Sequence, residues 1–268
     1  MKRIIILFMA LAIVAACGPK EHKIAIVAHQ GYWDCDEAFH LGNTVAALGQ
    51  SQANDFWGSE FDVHLTADDR MLVFHNEDIF GVHIHQSPLD SLTAITYPNG
   101  MHPASLDEYL TQAETCATTK LVFELKPHED PERELVFVDK AIEALKAHNL
   151  YSPERVMFIS FSLNMCKRIA ELCPEFDNQY LGFDIDPDEI FEMGINGIDY
   201  HFSAFYQHPE WIEHARNHGM SLNIWTVDQR EDLEKVIAME PDAITTNNPM
   251  LLREMLGDRE LKQKKHKK

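Results

Sequence analysis

Residues 59–76 read S-E-F-D-V-H-L-T-A-D-D-R-M-L-V-F-H-N and put the carboxylates of Glu60 and Asp62 and the imidazole of His75 on one short hairpin. Glu60 and Asp62 are two apart, so on a strand both project from one face, where two hard oxygen donors can share a divalent cation. Phe61 and Val63 take the other, apolar face, the alternation of a strand packed against helices. Asp68 and Asp69 form the turn, and residues 71–75 run back to His75, which brings an imidazole close to the same carboxylates.

Two further segments carry the same kind of chemistry. His29 closes the apolar run 24–28, and Glu124-Leu125-Lys126 closes the run 121–123. With 15 histidines in the chain, a single one carries little weight. Two of them at strand ends, with a Glu-x-Asp pair between and a Glu-x-Lys pair beyond, is a constellation of groups that hold cations and move protons.

Positioning these groups requires strands whose ends converge. Short β-branched or aromatic runs alternate with amphipathic helical stretches from residue 23 onward, the βαβα pattern of a parallel sheet. Strands are predicted over 24–28, 58–63, 121–126, 156–161, 179–183, 197–201, 222–227 and 243–247, with 71–75 as an extra hairpin arm. Asn43 or Thr44 can cap the first helix, Pro131 and Pro209 sit where helices start well, and Gly219 fits a helix C-cap. Residues 131–148 carry a core-facing stripe of Leu135, Val138, Ile142 and Leu145. Residues 79–103 lack periodicity and read as a loop insertion over the active-site end, able to contact substrate.

Eight strand and helix units predict an α/β protein, a (β/α)8 TIM barrel with a small hairpin and loop insertion at its C-terminal face. No glycine-rich nucleotide fingerprint follows the first strand. In a barrel, His29, Glu60, Asp62, Glu124, Lys126, His201 and Trp225 gather at one face from different strands.

Composition limits the partners. The net charge of −20 disfavours nucleic acid and other polyanions and favours cation binding. Lys2-Arg3, the apolar stretch 4–14 and Ala15-Ala16-Cys17 read as an export signal. The V-A-A-C pattern resembles the bacterial lipoprotein processing box, so residues 1–17 are expected to be a signal peptide ending at a lipidated Cys17, with the protein exported and lipid-anchored to a bacterial membrane, periplasmic or at the cell surface. Residues 23–256 are expected to form the barrel and 257–268 a basic, disordered tail. Cys166 and Cys173 read as small core residues rather than a disulfide pair. No obligate protein partner is evident.

Taken in order, His29-Gln30-Gly31, Gly42-Asn43-Thr44, Glu60-Phe61-Asp62, His75-Asn76 and Glu124-Leu125-Lys126 resemble the H-R-G, E-N-T, E-x-D, H-D and E-x-K motifs of glycerophosphodiester phosphodiesterases. Residues 103–110, Ser160-Phe161-Ser162, Trp225-Thr226-Val227 and Thr245-Thr246-Asn247-Asn248-Pro249 extend the resemblance over nearly all of the chain after the export signal. It implies that Glu60, Asp62 and Glu124 bind a divalent cation, Mg2+ or Ca2+, and that His29 and His75 are the acid/base pair. It implies a small-molecule phosphodiester substrate, cleaved to glycerol 3-phosphate and an alcohol, with Gln30, Lys126, His201 and Trp225 at the substrate. Three residues depart from the pattern: Gln30 replaces an arginine, Gly42 a glutamate and Asn76 an aspartate. Losing the arginine removes a bidentate phosphate donor. Two alternatives follow from that loss: a catalytically silent binding lipoprotein for phosphorylated head groups or glycans, or a related phosphodiesterase acting on a different diester.

Overall fold

Parallel strands covered by helices are buried on both faces, and most residues of these strands are accordingly buried. In the computed structural model, which describes residues 23–266 with side chains to residue 257, eight of them close a barrel. They are β1 (Ala25–Ala28), β2 (Gly58–Leu65), β3 (Lys120–Leu125), β4 (Val156–Ser160), β5 (Asn178–Gly182), β6 (Gly197–His201), β7 (Ser221–Trp225) and β8 (Ala243–Thr246). Each pairs in parallel with its sequence neighbours, and β1 closes the ring by pairing with both β8 and β2. At least one helix follows every strand, as the predicted alternation requires. Strand ends differ from the predicted ones by one or two residues.

β2 shows the logic most clearly. Phe61, Val63 and Leu65 point outward into the main core, where Phe61 stacks on Tyr109 at 4.4 Å and tilts against Phe123 at 4.8 Å. Burying such side chains contributes about 1.5–3 kcal/mol each. Glu60, Asp62 and His64 are therefore committed to the interior face, because a one-residue slip would expose the aromatic set. Below them the barrel interior is filled by Val27, Val122, Met157, Ile159, Leu181 and Ala243.

The hairpin is present: the short strand Met71–Val73 runs antiparallel to β2, and the Phe74 N–H donates to Asp62 O at 3.0 Å, which delivers His75 to the C-terminal face. Thr44, not Asn43, caps helix Val45–Ala53 through its side chain. Asp130 and Pro131 open helix Pro131–Ala147, and Gly219, at φ 67°, follows helix Trp211–Asn217. Cys166 and Cys173 are buried and unpaired.

The 79–103 segment is more ordered than its sequence suggests. It contains the paired strands Asp78–Ile79 and Val82–His83 and helix Leu89–Thr93, and it buries Ile79, Ile84, Leu89 and Leu92 with Leu72 in a separate small core. The final helix runs Pro249–His266, so the backbone is helical where a disordered tail is expected; Arg, Glu, Leu, Lys and Gln in that run are strong helix formers. Residues 1–22, with Cys17 and the expected export signal, lie outside the described residues. Among the described residues no helix is long and apolar enough to cross a membrane.

Candidate active site

Glu60 and Asp62 from β2 and Glu124 from β3 are 2%, 1% and 6% exposed, and one oxygen from each lies within 4.8 Å of the others. Register produces this: Asp62 pairs with Glu124 across the β2–β3 ladder, so both carboxylates leave the sheet at the same height. Each carboxylate is then held differently. Glu60 Oε2 accepts the Gln30 N–H at 2.6 Å, while its Oε1 is buried without a partner. Asp62 Oδ2 accepts the Asn43 side-chain amide at 2.7 Å, and the Asp62 N–H donates back to Asn43 Oδ1 at 2.9 Å. Lys126 Nζ donates to Asp62 Oδ1 at 3.0 Å and lies 2.9 Å from Glu124 Oε1, an ion pair without hydrogen-bond alignment.

Their titration follows from these surroundings. Burial raises the Glu60 carboxyl well above its ordinary range, and the charges of Asp62 and Glu124 push it further. Burial and Asp62 likewise raise Glu124, against the pull of Lys126. Burial also pushes on Asp62, but Lys126, His75 and the Asn43 amide outweigh it and hold this carboxyl low. The same carboxylates raise Lys126 further above its ordinary value than its burial lowers it.

Glu60 Oε1, deeply buried without a partner beside the carboxylates of Asp62 and Glu124, completes the donor set of a hard cation. The three acids therefore fit a divalent metal. A second acidic group, Asp186, Asp188 and His214, is already internally paired and lies at the surface.

His29 stands at the end of β1. Its Nδ1 is 2.9 Å from Asn247 Oδ1, which also accepts the Trp33 indole N–H at 3.0 Å. The Asn247 amide donates to Asp228 at 2.8 Å, which fixes which end of the amide faces His29. His29 thus donates from Nδ1 and presents a bare Nε2, 3.9 Å from Glu60 Oε2. Burial lowers its pKa, so the ring is neutral near neutral pH. His75 comes from the hairpin, with Nδ1 2.8 Å from Asn76 Oδ1. His64, buried and lowered to about 3 mainly by burial, lies 3.3 Å from the His75 carbonyl and steadies that turn.

A cavity of about 300 Å³ joins these groups, and its lining includes His29, His75, Glu60, Glu124, Lys126 and Trp225. Asp62 lies behind Lys126 and Glu124 and is not part of the lining. Trp225 gives the cavity an apolar wall, edge-on to Phe161 at 5.7 Å. Gln30 and His201, both expected at the substrate, are not cavity-lining residues. His201 caps helix Phe202–Gln207 and packs on Trp225 at 5.3 Å. Gln30 folds over Gly42: a Cβ there would fall 2.5 Å from Gln30 Oε1 and 2.9 Å from Gln30 Cβ. The two departures at 30 and 42 are thus one packing arrangement, since the glutamine fills the room of a side chain at 42. The 79–103 segment does not line the cavity either. Asn43, Asp228 and Asn247 escape a reading by motif chemistry, because their roles are to hold other side chains across barrel strands distant in sequence.

The raised carboxyls have a consequence for stability. An acid raised by folding stabilises the fold below its unfolded pKa and loses that contribution as pH climbs through the raised value. Without a divalent cation the protein should lose stability from about pH 5 to about pH 8, and Mg2+ or Ca2+ at 100 times its Kd at pH 8 should raise Tm there by roughly 5–10 °C, while the same concentration should raise it less at pH 5. Glu124→Gln should remove most of that rise. Thermal melts with and without cation test this, and a cation effect equal at both pH values would contradict it.

Comparison with known proteins agrees with the fold. A model described as the glycerophosphoryl diester phosphodiesterase family matches residues 35–251. A glycerophosphodiester phosphodiesterase of Caldanaerobacter subterraneus subsp. tengcongensis is 26% identical over 245 residues, 86% of this chain and 96% of that protein. A crystal structure of a glycerophosphodiester phosphodiesterase from Parabacteroides distasonis superposes with a TM-score of 0.84 at 35% identity, covering 88% of this chain and 98% of that one. The fold is also that of an Oleispira antarctica phosphodiesterase solved with its product sn-glycerol 3-phosphate, at TM-score 0.74, 21% identity, and 86% and 95% coverage. The match of one family model across most of the barrel, joined to a 35% identical structure over nearly its whole length, places this chain in the glycerophosphoryl diester phosphodiesterase family.

Proposed function

We propose that this protein hydrolyses glycerophosphodiesters to glycerol 3-phosphate and an alcohol, with a divalent cation at Glu60, Asp62 and Glu124. One observation carries the reading: two histidines, Glu60 and Glu124 of the buried carboxylate cluster, and the Lys126 ammonium line the same cavity. The cation, Mg2+ or Ca2+, supplies positive charge against the phosphoryl oxygens. An ammonium has three N–H groups, and with two of them toward Asp62 and Glu124, Lys126 keeps one for a phosphate oxygen.

His29 has the tautomer of a base. Held by Asn247 at Nδ1, it accepts the proton of a substrate glycerol hydroxyl at Nε2 as that oxygen bonds to phosphorus. The bond from phosphorus to the other ester oxygen breaks, and His75 gives a proton to the departing alkoxide. A cyclic phosphate results, and water opens it by the same proton transfers in reverse. With Gln30 turned onto Gly42, the phosphate grip rests on Lys126 and the cation instead of an arginine.

The apolar stretch 4–14 ending in Ala15-Ala16-Cys17 supports export and anchoring of this enzyme by a lipid on Cys17. Cys17→Ser should then move the protein from the membrane fraction to the soluble fraction of expressing bacteria. Continued membrane association would reject the anchor.

For the chemistry, protein lacking residues 1–17 should cleave glycerophosphocholine or a related diester with Mg2+ or Ca2+ and stop in chelator. His75→Ala should lower kcat by about 10²–10⁴-fold with cation binding retained. Absence of turnover across a panel of diesters and metals would reject the enzyme reading, and would favour a binding protein that keeps the same pocket.

A further inference from the structure

The floor of the cavity holds an acid that none of the steps above uses. Asp199, on β6, is 1% exposed and lines the cavity beside Leu181 and Thr245. It stands opposite Asn223 on β7 and Leu181 on β5, so its side chain points into the barrel at the level of those two. Asp199 Oδ2 accepts from the Asn223 amide at 3.0 Å. The remaining capacity of Asn223 is taken, because it also donates to Thr245 Oγ1 at 3.0 Å and accepts the Ile224 N–H at 3.0 Å. The Trp225 indole N–H goes to the Asp199 main-chain carbonyl at 2.9 Å and so is not free for the carboxyl. Asp199 Oδ1 is left buried with no partner.

We propose that Asp199 is a specificity-determining residue whose free carboxyl oxygen binds a hydroxyl of the substrate's glyceryl group at the cavity floor. This rests on the phosphodiesterase reading for its substrate and deepens it. A hydroxyl both donates and accepts, so it complements Asp199 in either protonation state: the carboxylate accepts its proton, and the neutral acid donates to its oxygen. A phosphate satisfies only the second state, and Lys126, with a cation held by the carboxylate cluster, would draw it to another wall of the cavity. Ile159 and Leu181, which also line it, offer no polar group, and the Thr245 hydroxyl is engaged with Asn223, so the hydroxyl end of a ligand has Asp199 as its partner on this side. Leaving such a group unmet is what makes a site reject an analogue that lacks the hydroxyl.

Binding calorimetry with sn-glycerol 3-phosphate and n-propyl phosphate in the presence of Mg2+ or Ca2+ tests the assignment. The two ligands share a chain length and a phosphate and differ in their hydroxyls. Wild-type protein should prefer sn-glycerol 3-phosphate by about 10-fold or more. Asp199→Leu and Asp199→Ala should lower that ratio several-fold, to what the hydroxyl facing His29 alone supplies, without weakening the binding of n-propyl phosphate, and Asp199→Asn, which can still donate and accept, should keep most of it. The ratio is taken within each variant, so a reduced folded fraction cancels. A wild-type ratio near one, a ratio unchanged in both Leu and Ala variants, or an equal loss for both ligands would overturn the proposal. Turnover is read separately: selective binding through Asp199 without cleavage of any diester would leave this assignment standing and remove the enzyme reading.

Discussion

Three buried carboxylates share one ammonium, and the rest of the site is built around that imbalance. Glu60, Asp62 and Glu124 bring oxygens within 4.8 Å of one another, and Lys126 contacts only two of the three. At an effective dielectric of about 20, each ionised pair at that distance repels by roughly 3 kcal/mol. One lysine cannot compensate three such pairs together with the loss of hydration, so the cluster holds protons or attracts a cation. The asymmetry within it is informative. Asp62, gripped by Lys126 and Asn43, is held low, while Glu60, with one backbone N–H and one empty oxygen, is driven high.

What forces the carboxylates together is apolar packing elsewhere. Phe61, Val63 and Leu65 bury the outer face of β2, and the matching face of β3 buries Leu121, Phe123 and Leu125. Because strand side chains alternate, the acids have no other face to occupy. The left-handed conformations at Gln30, Gly31 and Asn43 complete the arrangement, turning the chain so that the Gln30 N–H reaches Glu60 and the Asn43 amide reaches Asp62. Gly31 has no substitute there, since a Cβ would lie 2.8 Å from the backbone of Ala47.

Much of this was legible in the residues alone. The E-x-D alternation, the histidines at strand ends and the repeating strand and helix units lead to the barrel and to the group of His29, His75, Glu60, Glu124 and Lys126 that the cavity brings together. What was not legible is of two kinds. Supporting side chains such as Asn43, Asp228 and Asn247 are ordinary polar residues until the barrel closes and sets them beside their partners, and Asp199 sits in an otherwise unremarkable strand. The segment 79–103 hides its order because its elements are two to five residues long, too short for any periodicity. Gln30 and His201 show the converse: a motif position and a strand end do not reveal that one side chain packs over Gly42 and the other against Trp225.

The central claim is that the carboxylate cluster is a single cation site on which a phosphate is received. Crystals grown with Mn2+ and sn-glycerol 3-phosphate test it through the anomalous signal of manganese. One peak bounded by Glu60, Asp62 and Glu124, with the phosphate toward Lys126, is the predicted result. An empty cluster, or a peak confined to Asp186, Asp188 and His214 at the surface, would contradict it.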